Sequence, residues 1–185
     1  MLHKERTILN NKHFMRKNPR LQGYNYTTEA YYFITICAKD KAHYFGEISD
    51  EKMQTNNIGK IAQKGIENIE KIYKSIKIDK YIVMPNHVHM IIVINQETSI
   101  SVSRVVKQYK EYITKEIGKP IWQKSYYDHI IRNEKDYIRI WEYIDENVLR
   151  WSYDKYYEEW WSTMCSATNN ITENVDSVKL FMEKM

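Results

Sequence analysis

The 185-residue chain has little of what punctuates or cross-links most domains of its size: 2 cysteines, 5 glycines and 3 prolines. Cys37 and Cys165 show no C-x-x-C spacing, which excludes a disulfide framework or a cysteine-rich zinc site and fits a reducing cytoplasm. So few glycines and prolines exclude collagen-like and Gly/Pro low-complexity chains, and give each remaining one a positional meaning. Long apolar runs are also missing. Stretches such as Met90 to Ile94 fall far short of the roughly 20 residues that span a bilayer, so no membrane partner is expected. Behind the charged start Met1-Leu2-His3-Lys4-Glu5-Arg6 there is no apolar segment of a secretory signal. No internal repeat of solenoid or propeller length appears.

What is present is a globular composition, with 43% hydrophobic, 28% charged and 14% aromatic residues, and 16 tyrosines as the outlier. This length and composition predict one domain with terminal extensions. The net charge is +4 and the pI about 8.8, which permits a polyanionic partner without demanding one. Its distribution is more telling. Lys4, Arg6, Lys12, Arg16, Lys17 and Arg20 face only Glu5 in residues 1–26, whereas residues 156–185 are acidic. The expected organisation is a basic arm (1–26), a folded domain (27–155) and a C-terminal extension (156–185). By charge alone, the arm is equally a solvated terminus or a phosphate-contacting segment.

Tyr31–Ala38 is short, β-branched and aromatic, and predicts a buried strand. Apolar residues at helical spacing predict an amphipathic helix over Asn57–Ile76, with Gly59 and Gly65 as costly interior exceptions. Lys77–Met84 and His87–Ile94 read as strands joined by Pro85-Asn86 into an antiparallel hairpin. Val102 to Ile117 forms a second amphipathic helix, stopped by Gly118 and Pro120. Ser125–Arg132 reads as a fourth strand. Asn133 then caps a third helix that carries Ile138, Trp141 and Ile144 to about Asn147, with Glu134 and Asp136 in its first turn. The order β-α-β-β-α-β-α predicts an α+β fold: a ferredoxin-like split βαββαβ four-stranded antiparallel sheet with an additional C-terminal helix. After Trp151, aromatic residues are expected to pack back on the domain, and Val175, Val178, Met182 and Met185 have the spacing of a short helix.

His87 and His89 stand two apart in a predicted strand, so both imidazoles leave the same face while Val88 points away. Two neighbouring imidazoles can hold one cation if a third group closes the site. By itself this pattern is weak, and is more often a surface or hydrogen-bonded core pair. Tyr143 and Asn147 lie one helical turn apart and point together, which alone is also compatible with packing.

At the level of motifs the chain resembles the REP-associated tyrosine transposases, single-tyrosine HUH transposases that act on single-stranded DNA. The resemblance rests on GYNYTTEAYYFITICAKDKAHYFGEI, YIVMPNHVHMIIVI, IWQKSYYDHIIRNEKDY and EYIDENVLRW, in the family's order from about Arg20 to Trp151. The resemblance implies that His87 and His89 hold a divalent ion, Mg2+ or Mn2+, that Asn147 completes its site, and that Tyr143 is the nucleophile. It implies a metal-dependent endonuclease and strand transferase, active in transposition and DNA recombination at hairpin-flanked sites, working as a monomer or a homodimer. One departure is Val148 where the family often has proline, which predicts a less sharp helix end. Tyr126, Tyr127, Tyr137 and Tyr153 do not match the nucleophile position, and His129 is left outside the ligand set. Arg16, Lys17, Arg20, Lys107, Lys110 and Arg132 are candidate phosphate contacts. The competing reading is a noncatalytic nucleic-acid-binding domain of ferredoxin-like fold with exposed aromatics, although no RNP-type run occurs.

Overall fold

The computed structural model describes residues 23–96 and 98–151. The basic residues Arg16, Lys17 and Arg20, Tyr153 and the expected C-terminal helix lie outside the described residues. Chain order is β1 (Ala30–Cys37), β2 (Gly46–Ser49), β3 (Lys52–Thr55), α1 (Asn57–Ile72), β4 (Ile76–Met84), β5 (His87–Ile94), α2 (Val102–Ile117), β6 (Tyr127–Ile131), α3 (Glu134–Asp145) and α4 (Asn147–Arg150). Four strands form an antiparallel sheet in the order β4-β5-β1-β6, which is the expected ferredoxin-like arrangement.

Two different apolar surfaces make this sheet a middle layer. Tyr32, Ile34 and Ile36 of β1 and Val88, Met90, Ile92 and Ile94 of β5 face one side, where Ala62, Ile66 and Ile69 of α1 and Val105, Tyr109 and Ile113 of α2 cover them. Gly65 makes this layer thin: a Cβ there would stand 3.1 Å from both the Tyr109 and Tyr112 rings. The alternate residues Tyr31, Phe33, Ile91, Val93 and Ile131 face the other side, under Ile140, Tyr143 and Ile144 of α3. Period-two alternation thus assigns each strand residue to one core or the other.

The second core is ringed by polar contacts that seat α3. The β4 ladder skips Asp79, pairing Ile78 with Ile92 and then Lys80 with Ile91. This bulge changes which face the following residues occupy, bringing Lys80 and Ile82 under α3. The Lys80 ammonium lies 3.0 Å from the Trp141 ring centroid and 2.6 Å from Asp145. The Tyr137 hydroxyl donates to Asp79 at 2.7 Å. At the helix start, Asn133 accepts from the Asp136 amide, and His129 Nε2 of β6 meets the Asp136 carboxylate at 2.7 Å.

Three details differ from expectation. β2 and β3 form a hairpin that the sequence did not announce, because its turn places Asp50 and Glu51 at φ of 51° and 56° without the glycine or asparagine that usually marks such turns. Gly46 at φ 141° is required there, since a Cβ would sit 2.0 Å from the Gln54 carbonyl. α1 ends at Ile72, and Ile76, in phase with the helix, instead starts β4 opposite Ile94. α3 ends at Asp145; the chain continues through Glu146 into α4, so helical backbone runs on past Asn147, as Val148 in place of proline predicts.

Burial alone would raise the Asp136 carboxyl, but the hydrogen bond and charge of His129, and then of Arg139, outweigh it and hold the group below its ordinary value of 3.8. A depressed carboxylate contributes stability that is complete above its unfolded value and is lost as pH falls through its folded value. We expect Asp136→Asn to cost about 1–3 kcal/mol at pH 7, and the gap to the parent protein to close as the pH drops below 3.8. Urea unfolding at pH 7 and at acid pH checks this; an equal loss at both would remove the ion pair as the cause.

Candidate active site

β5 begins directly after Pro85-Asn86, so its first residues stand at the mouth of the second core. His87 and His89 both face that side, with relative exposures of 4% and 0% and ring centroids 4.5 Å apart. Their cross-strand partners on β1 are Cys37 and Thr35. Each Nδ1 is engaged from below. His87 Nδ1 lies 2.7 Å from Asn86 Oδ1, and because that oxygen can only accept, the ring carries its proton on Nδ1 and leaves the Nε2 lone pair for the site. His89 Nδ1 lies 2.8 Å from the Thr35 hydroxyl, and its Nε2 lies 3.2 Å from the Tyr143 hydroxyl.

Burial is the leading cause that lowers both imidazoles. It brings His87 down to about 4, against a smaller upward pull from its hydrogen bond to Asn147, and holds His89 well below the usual range, with the His87 charge adding to the effect. Both rings are therefore neutral at pH 7, the form in which imidazole coordinates a cation. Tyr143 is placed by packing. Its ring meets Phe33 edge-on at 6.0 Å and His89 at 5.1 Å, and Phe33 stacks on His89 at 5.2 Å. Asn147, one turn on, is buried beside His87. At the rim, Trp151 stands between His87 and the exposed His43, with centroids 6.2 and 5.4 Å away.

The structure thus brings together His87, His89, Tyr143 and Asn147, all named from the sequence. Among the described residues no group of three or more His, Cys, Asp or Glu side chains could hold a metal ion, so a cation site here depends on the Asn147 amide joining the two imidazoles. Neutral nitrogens plus an amide oxygen are chemically suited to a divalent ion. The supporting Thr35, Asn86 and Phe33 were not anticipated. The one usable signal was Thr35, a hydroxyl inside the apolar run of β1 that must find a buried partner.

The other candidates fall elsewhere. His129 is bound to Asp136, outside the cluster. Tyr126 bonds Ser103 and belongs to the α1/α2 core, and Tyr137 bonds Asp79. Lys107 is exposed and pairs with Glu111, while the half-buried Lys110 donates to the carbonyls of Gln123, Lys124 and Ser125 at 2.7, 3.4 and 3.4 Å. Both belong to α2, across the sheet from the imidazoles. Arg132 follows β6, half-buried. No helix among the described residues is long and apolar enough to cross a membrane.

No protein-family model matches the chain. An uncharacterised protein of Haemophilus influenzae is 36% identical over 167 residues, covering 77% of this chain and 93% of that protein. A REP-associated tyrosine transposase of Escherichia coli is 32% identical over 85 residues, covering 45% of this chain and 51% of that protein. Among solved structures, a REP-associated tyrosine transposase bound to a REP hairpin matches with a TM-score of 0.57 and 22% identity, over 71% of this chain and 74% of that one, a likeness of fold. Part of the sequence and the overall fold are thus each similar to those of a REP-associated tyrosine transposase.

The hydrogen bonds predict a specific protonation pattern. At pH 7 both rings should be neutral Nδ1–H tautomers, read from imidazole 15N shifts. Thr35→Val, nearly isosteric, should leave His87 unchanged, redistribute the His89 tautomers and destabilise the fold by about 1–3 kcal/mol. An unchanged His89 spectrum in that variant would show that Thr35 does not orient the ring.

Proposed function

We propose that the protein is a metal-dependent endonuclease and strand transferase acting on single-stranded DNA beside a hairpin, through a covalent 5′-phosphotyrosine. The observation that carries this reading is the Tyr143 hydroxyl 3.2 Å from Nε2 of the second of two buried, neutral imidazoles. A nucleophile and a cation-binding pair on one wall are what phosphodiester transfer requires.

His87 and His89 would hold the ion through Nε2 with the Asn147 amide oxygen as third ligand, a mixed nitrogen and oxygen set that suits Mn2+ better than the oxygen-preferring Mg2+. When bound, such an ion offsets phosphate charge and polarises the scissile bond. The chain's own residues do the rest. Phe33 and His89 fix the Tyr143 ring in the second core with its hydroxyl toward the imidazoles. As the phenolic oxygen bonds phosphorus, the bond to the leaving 3′-oxygen breaks, and the proton lost by the phenol is balanced by one gained on that oxygen. The phosphate ester conserves the bond energy, so the freed 3′-OH can reverse the step without ATP.

The noncatalytic alternative needs an open sheet surface for bases. Both faces of the four-stranded sheet are occupied, by α1 and α2 on one side and α3 on the other, which disfavours it. The neighbouring protein solved with a REP hairpin motivates the choice of substrate for a test. With a labelled hairpin oligonucleotide carrying a single-stranded flank, and Mn2+, we expect a denaturant-resistant adduct that chelator abolishes. Tyr143→Phe should remove the adduct, a fall of at least about 10³-fold, and His87→Ala with His89→Ala should remove cleavage while retaining part of the binding. An adduct surviving in Tyr143→Phe would reject Tyr143 as nucleophile; cleavage surviving loss of both histidines would reject the metal assignment.

A further inference from the structure

We propose that the Tyr143 hydroxyl and the divalent ion compete for one nitrogen, Nε2 of His89, so that loading the ion is what detaches the nucleophile from its resting partner. The inference deepens the function proposed above and rests on it.

The geometry leaves little room for sharing. A neutral imidazole has one N–H and one in-plane lone pair. His89 Nδ1 is taken by Thr35 at 2.8 Å, which leaves Nε2 as the atom through which the ring can reach the site. That atom is where the Tyr143 hydroxyl sits at 3.2 Å. A phenol is a better donor than an aliphatic hydroxyl, so the favoured arrangement runs from the Tyr143 O–H into Nε2, with Nδ1–H donating to Thr35. In the opposite tautomer Nε2 carries a proton and gives it to the phenolic oxygen. Either way the position an ion needs is occupied by a hydrogen bond to Tyr143. His87 differs, because its Nδ1 is held by Asn86 and its neighbour on the helix side is Asn147, itself an expected ligand. Competition therefore falls on one imidazole only.

The consequence is an order of events. Without the ion, the nucleophilic oxygen is tied to His89 in a pocket where Phe33 supports both rings. With Nε2 of His89 taken up as a ligand, that hydrogen bond would be lost and the phenolic oxygen, still held by its ring packing, would be free for attack. Activation of the phosphate and release of the nucleophile become one event.

The test is Mn2+ affinity of the full chain without DNA, measured by electron paramagnetic resonance of free Mn2+. Removing a competing hydrogen bond should tighten binding, so Tyr143→Phe is expected to bind Mn2+ about 3- to 10-fold more tightly than the parent protein. Tyr137→Phe, which removes a hydroxyl from the same helix but bonded to Asp79, should leave the affinity unchanged. Mg2+ should also produce a tyrosine ultraviolet difference spectrum that is missing in Tyr143→Phe. Equal or weaker Mn2+ binding by Tyr143→Phe would overturn the proposal, as would equal tightening in Tyr137→Phe, which would trace the effect to a loosened helix. Failure of the parent protein to bind Mn2+, or binding untouched by loss of His87 and His89, would instead bring down the metal reading itself.

Discussion

The site depends on the register of β5 against β1, in which Cys37 stands opposite His87 and Thr35 opposite His89. Because side chains alternate with a period of two, sliding β5 by one residue would exchange every side chain between faces. Val88 and Met90 would then enter the α3 core, and both imidazoles would be driven into the apolar layer under α1 and α2, away from Thr35, Tyr143 and Asn147. The register is held from both sides. Ile92 and Ile94 are wholly buried in the first core and Ile91 in the second, so a slip would forfeit packing on both.

A sheet covered on both faces also divides the labour. The larger core, from Tyr32 to Ile113, holds the scaffold and carries none of the four candidate site residues. The smaller core is shared between structure and chemistry: Phe33 and Tyr143 are at once its apolar filling and the walls of the site. Its helix is therefore seated by specific contacts as well as by area. The Lys80 stem and ammonium against Trp141 and Asp145, Asp79 against Tyr137, and His129 against Asp136 fix α3 along its length. The bulge at Asp79 is what makes two of these contacts available, since without it Lys80 would face the apolar layer of α1 and α2.

The sequence spoke clearly where periodicity and chemistry agree. β5 runs from His87 to Ile94 as read, and the placement of both imidazoles on one face followed from spacing alone. The helix that brings Tyr143 and Asn147 together was legible from its cap and apolar stripe, but the face of the sheet it covers was not, since that is a choice of tertiary packing. Ile76 was misassigned because one apolar residue can satisfy a helical stripe and a strand ladder equally. The β2–β3 hairpin stayed hidden because Asp50 and Glu51 adopt positive φ without the residues that signal it. Lys110 read from sequence as a candidate phosphate contact; that its ammonium tethers the carbonyls preceding β6 is a contact that only the folded chain reveals.

Burying two imidazoles in an apolar wall is costly unless every ring nitrogen finds a partner. Here the partners are of two kinds. Asn86 and Thr35, below the rings, come from the turn and the neighbouring strand, so they are fixed by the sheet itself and orient the imidazoles whatever lies above them. Tyr143 and Asn147, above the rings, come from the layer that packs onto that sheet, the Tyr143 hydroxyl meeting His89 Nε2 and Asn147 lying beside His87. The helix-side groups Tyr143 and Asn147 are the same ones the proposed chemistry would redeploy. A rigid lower set and an exchangeable upper set follow directly from which partners are strand residues and which are helix residues, so the division between orientation and reactivity is already written into the order of elements along the chain.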